Sequence, residues 1–301
     1  MAGFLEGKSI AVTGAGRGIG RAVALLCAAE GANVVVADFG VGMAGEDPTS
    51  EVADAVVKEI GAAGGTAVAV ADTVTTMEGG ARIVQTAVDN WGRIDGVVCV
   101  AGILKERMLF NMSEDEWDPV VETHLKGTFT VFRAAASIMK QQQSGTLIGF
   151  TSGAFAGSVA QANYSSAKGG IVSLVRSAAV GMYRYNVTAN CIAPIARTRM
   201  SANVPMELAE NGEPEDVAPM VGYLLSDAAR HVTGQVYTAV GGKIAVWNQP
   251  REMRAMYKDG RWTPAEIAAR IDSTVGQERM AMIDRLDAMR AAAASGEKPN
   301  A

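Results

Sequence analysis

Seven short apolar runs of β-strand type alternate along the chain with segments that have helical periodicity. The runs are Ser9–Thr13, Asn33–Ala37, Thr66–Ala71, Gly96–Val100, Thr146–Phe150, Asn186–Ile192 and Gln235–Val240. Strands that are apolar throughout are buried on both faces, and the helices between them supply the crossovers that parallel strands need. The sequence therefore predicts an α/β fold in which helices cover both faces of a parallel sheet.

The composition changes near Gly242, where the alternating pattern ends and a Met- and Ala-rich segment begins. Within that segment, Thr263-Pro-Ala-Glu266 predicts a helix start with proline at the first helical position. We therefore predict one main domain over residues 1–243. Residues 244–301 are predicted to form a mostly helical C-terminal extension that is not an independent domain.

Composition and charge exclude several classes of protein. The chain has 301 residues and a net charge of −5, which gives no reason to expect nucleic acid or an anionic membrane as partner. No apolar run approaches the ~20 residues of a membrane span, and the N-terminus lacks the layout of a signal peptide. Three cysteines without a CxxC pair and two histidines argue against a disulfide framework and a metal site. We expect a cytoplasmic protein that binds a small molecule.

A glycine-rich loop, Thr13-Gly-Ala-Gly-Arg-Gly-Ile-Gly20, follows the first strand directly and leads into a helix. Glycine allows a tight turn and a close backbone approach to a pyrophosphate, while the helix N-terminus offers N–H groups and a positive dipole end. Such a loop alone is weak evidence, since it also suits a tight structural turn. Its position between the first strand and the first helix favours a dinucleotide site.

Two aspartates at strand ends extend this interpretation. Asp38 ends the second strand, where a carboxylate accepts hydrogen bonds from both adenosine ribose hydroxyls and repels a 2′-phosphate, which favours NAD over NADP. The alternative is a solvated aspartate at a strand end. The third strand ends at Asp72 and Thr73, where a side chain would reach the adenine amino group. A structural role for that pair is equally compatible with the sequence.

Tyr164 and Lys168 lie four residues apart on a predicted helix and therefore share one face. Taken alone, such a pair is typical of a surface contact. A free phenol has a pKa of about 10 and is a poor base at neutral pH. A neighbouring ammonium group, together with the cationic ring of NAD⁺, would favour the phenolate and lower that pKa towards the working range.

With TGAGRGIG near its start and Tyr164-Ser-Ser-Ala-Lys168 further on, the chain resembles the short-chain dehydrogenase/reductase family over about residues 6–242. Within the family it is similar to the (3R)-hydroxyacyl-CoA dehydrogenase branch in the stretches AGILKERML, HLKGTF, QANYSSAK, NCIAPIARTRM and PEDVAPMV. The resemblance implies a Rossmann-type doubly wound sheet of seven parallel strands with helices on both faces. It also implies assembly into a homo-oligomer, a dimer or tetramer.

The resemblance further implies roles for individual residues. Tyr164 would be the acid/base, and Lys168 would hold the nicotinamide ribose and lower the pKa of the tyrosine. The run Pro194–Thr198 would close over the nicotinamide. The cofactor-binding residues expected are Gly14, Arg17, Gly18, Ile19, Gly20, Asp38, Asp72, Thr73, Ala101, Gly102, Tyr164, Lys168, Pro194 and Thr198.

The sequence departs from the family pattern in three places. The usual Asn-Asn-Ala-Gly reads Cys99-Val-Ala-Gly102, so whatever the two amides fix must come from backbone groups. His124 replaces the asparagine of the proton relay, where it is either a relay through Lys168 and water or an interior histidine satisfied by a carbonyl. Counting back from the tyrosine makes Thr151 the catalytic hydroxyl, whereas alignment from the strand end makes it Ser152. We favour Ser152, because the strand end fixes the direction of the side chain, and keep Thr151 as the alternative.

The substrate is expected over the carboxyl ends of the strands, between 154–160 and an apolar lid at 200–210. An apolar secondary alcohol fits, such as a 3-hydroxyacyl thioester or a hydroxysteroid. Basic residues of the extension would meet a coenzyme A phosphate or simply form a solvated face. They are Arg251, Arg254, Lys258 and Arg261.

The final helix is predicted to carry an apolar stripe that needs a cover, either its own core or another subunit. The stripe is Val275, Met282, Leu286, Met289 and Ala293. The sequence thus predicts an NAD(H)-dependent oxidoreductase with a Ser-Tyr-Lys mechanism. The alternative is a catalytically silent dinucleotide-binding subunit, supported only by Cys99-Val100 and by a shortened loop before Tyr164.

Overall fold

The computed structural model describes residues 3–40, 49–196, 212–276 and 279–295. Contacts divide the chain into two units, Met1–Trp247 and Asn248–Ala301. The first unit therefore continues beyond residue 243, where the change in composition had placed the end of the main domain.

The first unit contains a mostly parallel sheet, which confirms the predicted α/β fold. Its strand order is β3-β2-β1-β4-β5-β6-β7-β8. The strands are β1 Ser9–Thr13, β2 Asn33–Ala37, β3 Thr66–Val70, β4 Gly96–Cys99, β5 Gly145–Phe150, β6 Val187–Pro194, β7 Val236–Val240 and β8 Lys243–Val246. Strands β1 to β7 run parallel and β8 pairs antiparallel with β7.

The expectation of seven parallel strands is correct for β1 to β7 and misses β8. The missed strand is explained by Gly241 and Gly242, which form a two-residue hairpin between β7 and β8, with Gly241 at φ 48°. Hairpins of this length need positive φ, which glycine adopts without steric cost. The change in composition at Gly242 is therefore a turn inside the sheet and not the end of the domain.

Helices cover both faces of the sheet. In the first unit they are α1 Gly18–Ala29, α2 Glu51–Ala62, α3 Met77–Trp91, α4 Glu114–Val121, α5 Gly127–Gln142, α6 Ala162–Met182 and α7 Pro214–Leu225. The core forms two clusters because successive strand residues point to opposite faces. On β1, Ile10 and Val12 belong to the cluster with α1 and α7, whereas Ala11 belongs to the cluster with α3, α5 and α6.

The direction of strand progression reverses at β1, which lies between β2 and β4. In open α/β sheets, ligands bind in the crevice outside the carboxyl ends of the strands at this reversal. The glycine-rich loop, Asp38 and Ala101 follow β1, β2 and β4 respectively. The fold thus brings the predicted cofactor residues to one edge of the sheet.

The described residues of the second unit contain two helices, α8 Pro264–Thr274 and α9 Ala281–Ser295. The predicted start of α8 is confirmed, since Thr263 N–H donates to the Glu266 carboxylate at 2.8 Å and Glu266 N–H donates to the Thr263 hydroxyl at 3.3 Å. Residues 248–263 are irregular. The predicted stripe is also divided, because Val275 ends α8 while Met282 belongs to α9. No helix in the described part of the chain is long and apolar enough to cross a membrane.

Candidate active site

The glycine-rich loop turns sharply between β1 and α1. Gly14 has φ +65°, and a Cβ there would lie 2.8 Å from the Cα of Ala101, so the loop touches the end of β4. A Cβ on Gly20 would lie 2.0 Å from the Gly14 carbonyl oxygen. Helix α1 begins at Gly18, and Arg17 at its N-cap adopts an extended backbone and provides no side-chain cap. The loop thus leaves a helix N-terminus facing the edge of the sheet, as a pyrophosphate site requires.

Asp38 is bound to the backbone of this loop. Its Oδ2 accepts a hydrogen bond from Gly16 N–H at 2.8 Å, and its Oδ1 accepts one from Gly40 N–H at 2.7 Å. A Cβ on Gly16 would lie 2.8 Å from Asp38 Oδ2 and 2.4 Å from Val52 Cγ1. Gly16 was not singled out from the sequence, although it stands within the quoted motif. It is the residue that lets Asp38 approach the phosphate loop.

Asp72 has a partner that the sequence did not indicate. Both of its carboxylate oxygens accept hydrogen bonds from the Arg82 guanidinium, one of them at 2.9 Å, and Oδ1 also accepts one from Thr73 N–H at 2.8 Å. The hydrogen bond from Arg82 is the main reason that the pKa of Asp72 lies below its usual range. The side chain expected to reach an adenine amino group is therefore already paired with a guanidinium on α3.

Thr13 secures the end of β4, where the family pattern has two asparagines. Its hydroxyl accepts hydrogen bonds from Val100 N–H at 3.2 Å and Ala101 N–H at 3.3 Å. A side chain of β1 therefore holds this backbone, whereas the sequence suggested backbone groups alone. A Cβ on the neighbouring Gly102 would lie 2.0 Å from His124 Cε1, so the backbone at Gly102 lies directly against the imidazole.

Tyr164 and Lys168 lie on α6 and contact each other. The Lys168 Nζ atom lies 5.3 Å from the centroid of the Tyr164 ring and donates a hydrogen bond to the Phe150 carbonyl at 2.7 Å. Lys168 is buried, with 4% exposure, and its burial lowers the pKa of the ammonium group to about 7. The pair is therefore not the solvated surface contact that its spacing alone would suggest.

The pKa of Tyr164 is shifted in the direction opposite to that expected from the sequence. Burial raises the pKa of the phenol, and a hydrogen bond with the Ser152 hydroxyl opposes this shift. Burial also lowers the pKa of Lys168, so desolvation favours the neutral form of both side chains.

The two candidate hydroxyls at the end of β5 have different partners. The Ser152 hydroxyl lies close enough to the Tyr164 side chain to oppose the rise in the pKa of the phenol, and it accepts a hydrogen bond from Ala154 N–H at 3.2 Å. The Thr151 hydroxyl is buried and donates to the Lys168 carbonyl at 2.9 Å. Ser152 is therefore the hydroxyl that faces the phenol, while Thr151 ties β5 to α6.

His124 lies in a π-helical turn, Glu122–Lys126, between α4 and α5. Its Nε2 lies 2.8 Å from the Ile103 carbonyl oxygen, so Nε2 carries the proton and donates it to that carbonyl. Its Nδ1 is buried without a hydrogen-bond partner in the described residues. Burial, followed by the nearby Lys168 charge, lowers the pKa of His124 well below its usual range. Of the two roles that the sequence left open, this geometry matches the interior histidine whose ring N–H is satisfied by a backbone carbonyl.

The His124 ring also meets the Tyr164 ring edge-on, with centroids 5.1 Å apart. Contacts thus run without interruption from the glycine-rich loop through Ala101, Gly102 and His124 to the phenol. Pro194 ends β6 at the same edge of the sheet. Thr198 and the predicted lid at 200–210 lie outside the described residues.

Asn163 was missed by the sequence analysis. It is fully buried, and its Nδ2 donates to the Lys105 and Glu116 carbonyls at 2.8 Å and 2.7 Å. Its Oδ1 accepts a hydrogen bond from Tyr164 N–H at 2.7 Å. One amide thus joins three segments at the residue before the phenol. Its place next to the tyrosine in QANYSSAK was the only sequence signal.

Comparisons with known proteins agree with this architecture. Residues 14–243 match the family model described as enoyl-(acyl carrier protein) reductase. A crystal structure of a short chain dehydrogenase from Mycobacterium avium is 45% identical, with a TM-score of 0.83, and the match covers 92% of this chain and 98% of that one. These findings define an α/β oxidoreductase with a dinucleotide-binding fold.

Two curated relatives narrow the class. A hydroxyacyl-CoA dehydrogenase of Mycobacterium tuberculosis is 39% identical over 308 residues, covering 95% of this chain and 94% of that protein. The peroxisomal multifunctional enzyme type 2 of Mus musculus is 43% identical over 244 residues, covering 79% of this chain and 33% of the mouse protein. The chain therefore spans about a third of the mouse enzyme and nearly all of the mycobacterial one.

The chain belongs to the short-chain dehydrogenase/reductase family, as the sequence predicted. It is an oxidoreductase that acts on CH–OH groups. Its relatives include peroxisomal multifunctional enzymes and a hydroxyacyl-CoA dehydrogenase, which is the branch that the sequence resembled.

Proposed function

We propose that the protein is an NAD(H)-dependent dehydrogenase that transfers hydride between a secondary alcohol or ketone and nicotinamide by a Ser-Tyr-Lys mechanism. The observation that carries the proposal is the cluster of half-buried Ser152 and Tyr164 with buried Lys168 at the edge of the sheet that also holds the glycine-rich loop. The loop fits a dinucleotide, since a Cβ on Gly14 or Gly20 would fill the space through which the backbone closes its turn.

In alcohol oxidation, Tyr164 accepts the hydroxyl proton of the substrate while the bound nicotinamide supplies the hydride acceptor. Ser152 hydrogen-bonds the substrate oxygen and stabilises the charge that develops on it. Lys168 holds the nicotinamide ribose and, when protonated, favours the phenolate form of Tyr164. In the reverse direction, the raised pKa of Tyr164 keeps the phenol protonated, so that it can donate its proton to a ketone. For oxidation, the charge of bound NAD⁺ together with protonated Lys168 would favour the phenolate that accepts the proton.

For His124 we propose a positioning role rather than a relay. Its Nε2 proton is donated to the Ile103 carbonyl, and burial keeps the ring neutral. The ring fills the space between Gly102 and Tyr164, and so sets the distance between the end of β4 and the phenol.

We propose NAD rather than NADP because of Asp38. Backbone N–H groups from Gly16 and Gly40 hold its two carboxylate oxygens in place. Each oxygen keeps a lone pair for a ribose hydroxyl. A 2′-phosphate at the same position would meet a fixed negative charge.

For substrate we propose a 3-hydroxyacyl-CoA, with a hydroxysteroid as the second candidate. The first rests on the relative named hydroxyacyl-CoA dehydrogenase, which aligns over nearly its whole length. We also propose a homo-oligomer in a reducing, cytoplasmic environment. The buried free thiols of Cys27, Cys99 and Cys191 agree with such a compartment.

The test follows NADH absorbance during incubation of the protein with NAD⁺ and a panel of alcohols that includes acyl-CoA and steroid substrates. We expect turnover of a 3-hydroxyacyl-CoA and a preference for NAD⁺ over NADP⁺. Binding of NADH without turnover of any alcohol or ketone would instead favour the catalytically silent subunit. Turnover of steroids alone would leave the proposed mechanism in place and would make a hydroxysteroid the substrate instead of a 3-hydroxyacyl-CoA.

A further inference from the structure

The Ser152 hydroxyl is held by the turn that follows it. Gly153–Ala156 forms a single 3₁₀ turn, in which Ala154 N–H donates to the Ser152 hydroxyl at 3.2 Å and Phe155 N–H donates to the Ser152 carbonyl at 3.0 Å. Gly157 ends the turn at φ 111°, which glycine alone adopts readily. A displacement of this turn therefore displaces the hydroxyl that faces Tyr164.

Phe155 is the only large side chain in this turn, whose sequence is Gly-Ala-Phe-Ala-Gly. Its ring contacts the indole of Trp247 edge-on, with centroids 4.6 Å apart and planes at 61°. Both rings are half-buried and pack against the core cluster that contains α5 and α6. The other residues of the turn are glycine and alanine, so this aromatic contact is the main side-chain anchor of the turn.

Trp247 is itself fixed by two hydrogen bonds. Its indole Nε1–H donates to the Thr238 hydroxyl at 2.9 Å, and its backbone N–H donates to the Val236 carbonyl at 2.9 Å. Both partners belong to β7, whose ends are buried in the sheet. The indole can therefore act as a rigid support for Phe155.

Strand β8, which directly precedes Trp247, contributes little to the core. Ile244 and Val246 on β8 remain 60% and 61% exposed. The match to the family model stops at residue 243, the first residue of β8, so the rest of β8 and Trp247 lie beyond it. The main consequence of the additional strand within this unit is that it brings an indole to the turn after Ser152.

We propose that Trp247 is a positioning residue for the reaction, which holds the Gly153–Ala156 turn through Phe155 and thereby aims the Ser152 hydroxyl. The inference rests on the proposed function, in which Ser152 binds the substrate oxygen. Trp247 acts through Ser152 and needs no contact with substrate. Loss of the indole should therefore affect the rate of hydride transfer much more than cofactor binding.

The kinetic test compares substitutions at Trp247 with a matched control on the same strand. Trp247→Ala should lower kcat by about tenfold and leave the KM for NAD⁺ within about twofold, because misplacement of a catalytic group slows chemistry without removing binding. Trp247→Phe keeps a ring and should recover most of the loss. Ile244→Ala removes an exposed side chain of β8 and should leave kcat unchanged. Equal losses in Trp247→Ala and Ile244→Ala would overturn the proposal.

A double-mutant cycle separates positioning of Ser152 from a general loss of structure. In a Ser152→Ala background, Trp247→Ala should lower kcat by less than about twofold, because the group that it positions is already absent. A further loss as large as in the wild-type background would show that Trp247 does not act through Ser152. If Trp247→Ala does not fold, Thr238→Val, which removes the acceptor of the indole N–H, replaces it in the same cycle.

A second readout does not depend on activity. Amide hydrogen exchange in a peptide spanning 150–160 should become faster in Trp247→Ala, while a peptide spanning 9–13 in β1 keeps its rate. Unchanged exchange at 150–160 would overturn the positioning role even if every alcohol failed as a substrate. Faster exchange in a protein without any turnover would retain the structural role of Trp247 and contradict only the proposed function.

Discussion

Burial of Tyr164 and Lys168 makes both side chains favour their neutral forms. The pKa of the phenol is raised and that of the ammonium group falls to about 7. The spacing of the two residues could be read from the sequence, but their desolvation depends on elements that are distant in the chain. Two predictions concern these two side chains.

Tyr164→Phe should lower kcat by at least about 100-fold, because the variant keeps the ring and loses the group that exchanges the proton. Its contact with the His124 ring remains. NADH affinity, measured by fluorescence titration, should stay within a few-fold of the wild-type value. A large loss of NADH binding with normal turnover at saturation would contradict the assigned role.

Lys168→Met should stabilise the folded protein in a pH-dependent way. The folded-state pKa of Lys168 is about 7, below the 10.5 of an ordinary lysine, so the unfolded chain binds one more proton than the folded protein between these two pH values. The cost of burying the charge is therefore full below pH 7 and falls as the pH rises towards 10.5. The gain should reach a few kcal/mol below pH 7 and fade by about pH 10.

Urea unfolding at several pH values measures this gain. Lys58→Met removes an exposed lysine from α2 and is the matched control, with an expected change of about 0.5 kcal/mol or less at every pH. If the gain in free energy of unfolding in Lys168→Met instead grew with pH, the pKa of Lys168 would not be lowered in the folded protein. Activity should be lost in Lys168→Met at every pH.

Asp38 offers the sharpest test of cofactor choice. Asp38→Asn removes the charge and keeps a side-chain oxygen for one of the two backbone N–H groups. The ratio of kcat/KM for NADP⁺ to that for NAD⁺ should rise by about tenfold or more, because the repulsion of a 2′-phosphate is lost. Asp72→Asn is the matched control, since it changes a carboxylate after the next strand. An unchanged ratio in Asp38→Asn would remove the argument for NAD.

Among the elements, the buried strands were the most predictable. The predicted limits of β1 and β2 agree with the structure, and those of the other parallel strands differ at their ends. Fully buried strands have continuous apolar runs, which few other elements share. Strand β8 was missed because it is a short, exposed edge strand, and its only signal was the Gly241-Gly242 turn.

The site residues also differ in how well the sequence predicts their positions. Residues that follow a strand directly, such as Asp38 and Ser152, could be placed from the sequence because the strand fixes their edge. Partners that lie on different elements could not be placed, as with Arg82 at Asp72 and Asn163 at the Lys105 carbonyl. Such contacts depend on how helices pack, which local patterns do not specify.

The turn between β1 and α1 can be tested with a pair of glycines. Gly14→Ala combines a positive φ of +65° with a Cβ 2.8 Å from Ala101, so it should disturb β4 and weaken NADH binding by about tenfold or more. Gly7→Ala has a similar φ of +72° and nothing within 4 Å of its Cβ, so only strain of about 1 kcal/mol is expected. Thermal unfolding and NADH titration measure both effects. Equal NADH affinity in the two variants would contradict the close packing of the loop on β4.

At the scale of the whole molecule, the sequence indicated two parts and placed their boundary too early. Contacts put it after Trp247, whereas the composition changes at the hairpin near Gly242. Amino-acid composition depends on how exposed a segment is, and the exposed strand β8 therefore has a composition similar to that of the segment after it. The hydrogen bonds of β8 to β7 and of Trp247 to Thr238 assign it to the first unit.

Two truncations distinguish these boundaries. A chain ending at Trp247 keeps every strand of the sheet and should retain cooperative thermal unfolding, because the unit it contains has its own core. A chain ending at Gly242 also loses β8 and the contact between Trp247 and Phe155. Loss of that partly buried aromatic contact costs on the order of 2 kcal/mol. For a domain of this size, Tm should fall by about 4–8 °C relative to the chain ending at Trp247. Identical Tm values for the two chains would show that β8 belongs to the extension, as the composition suggested.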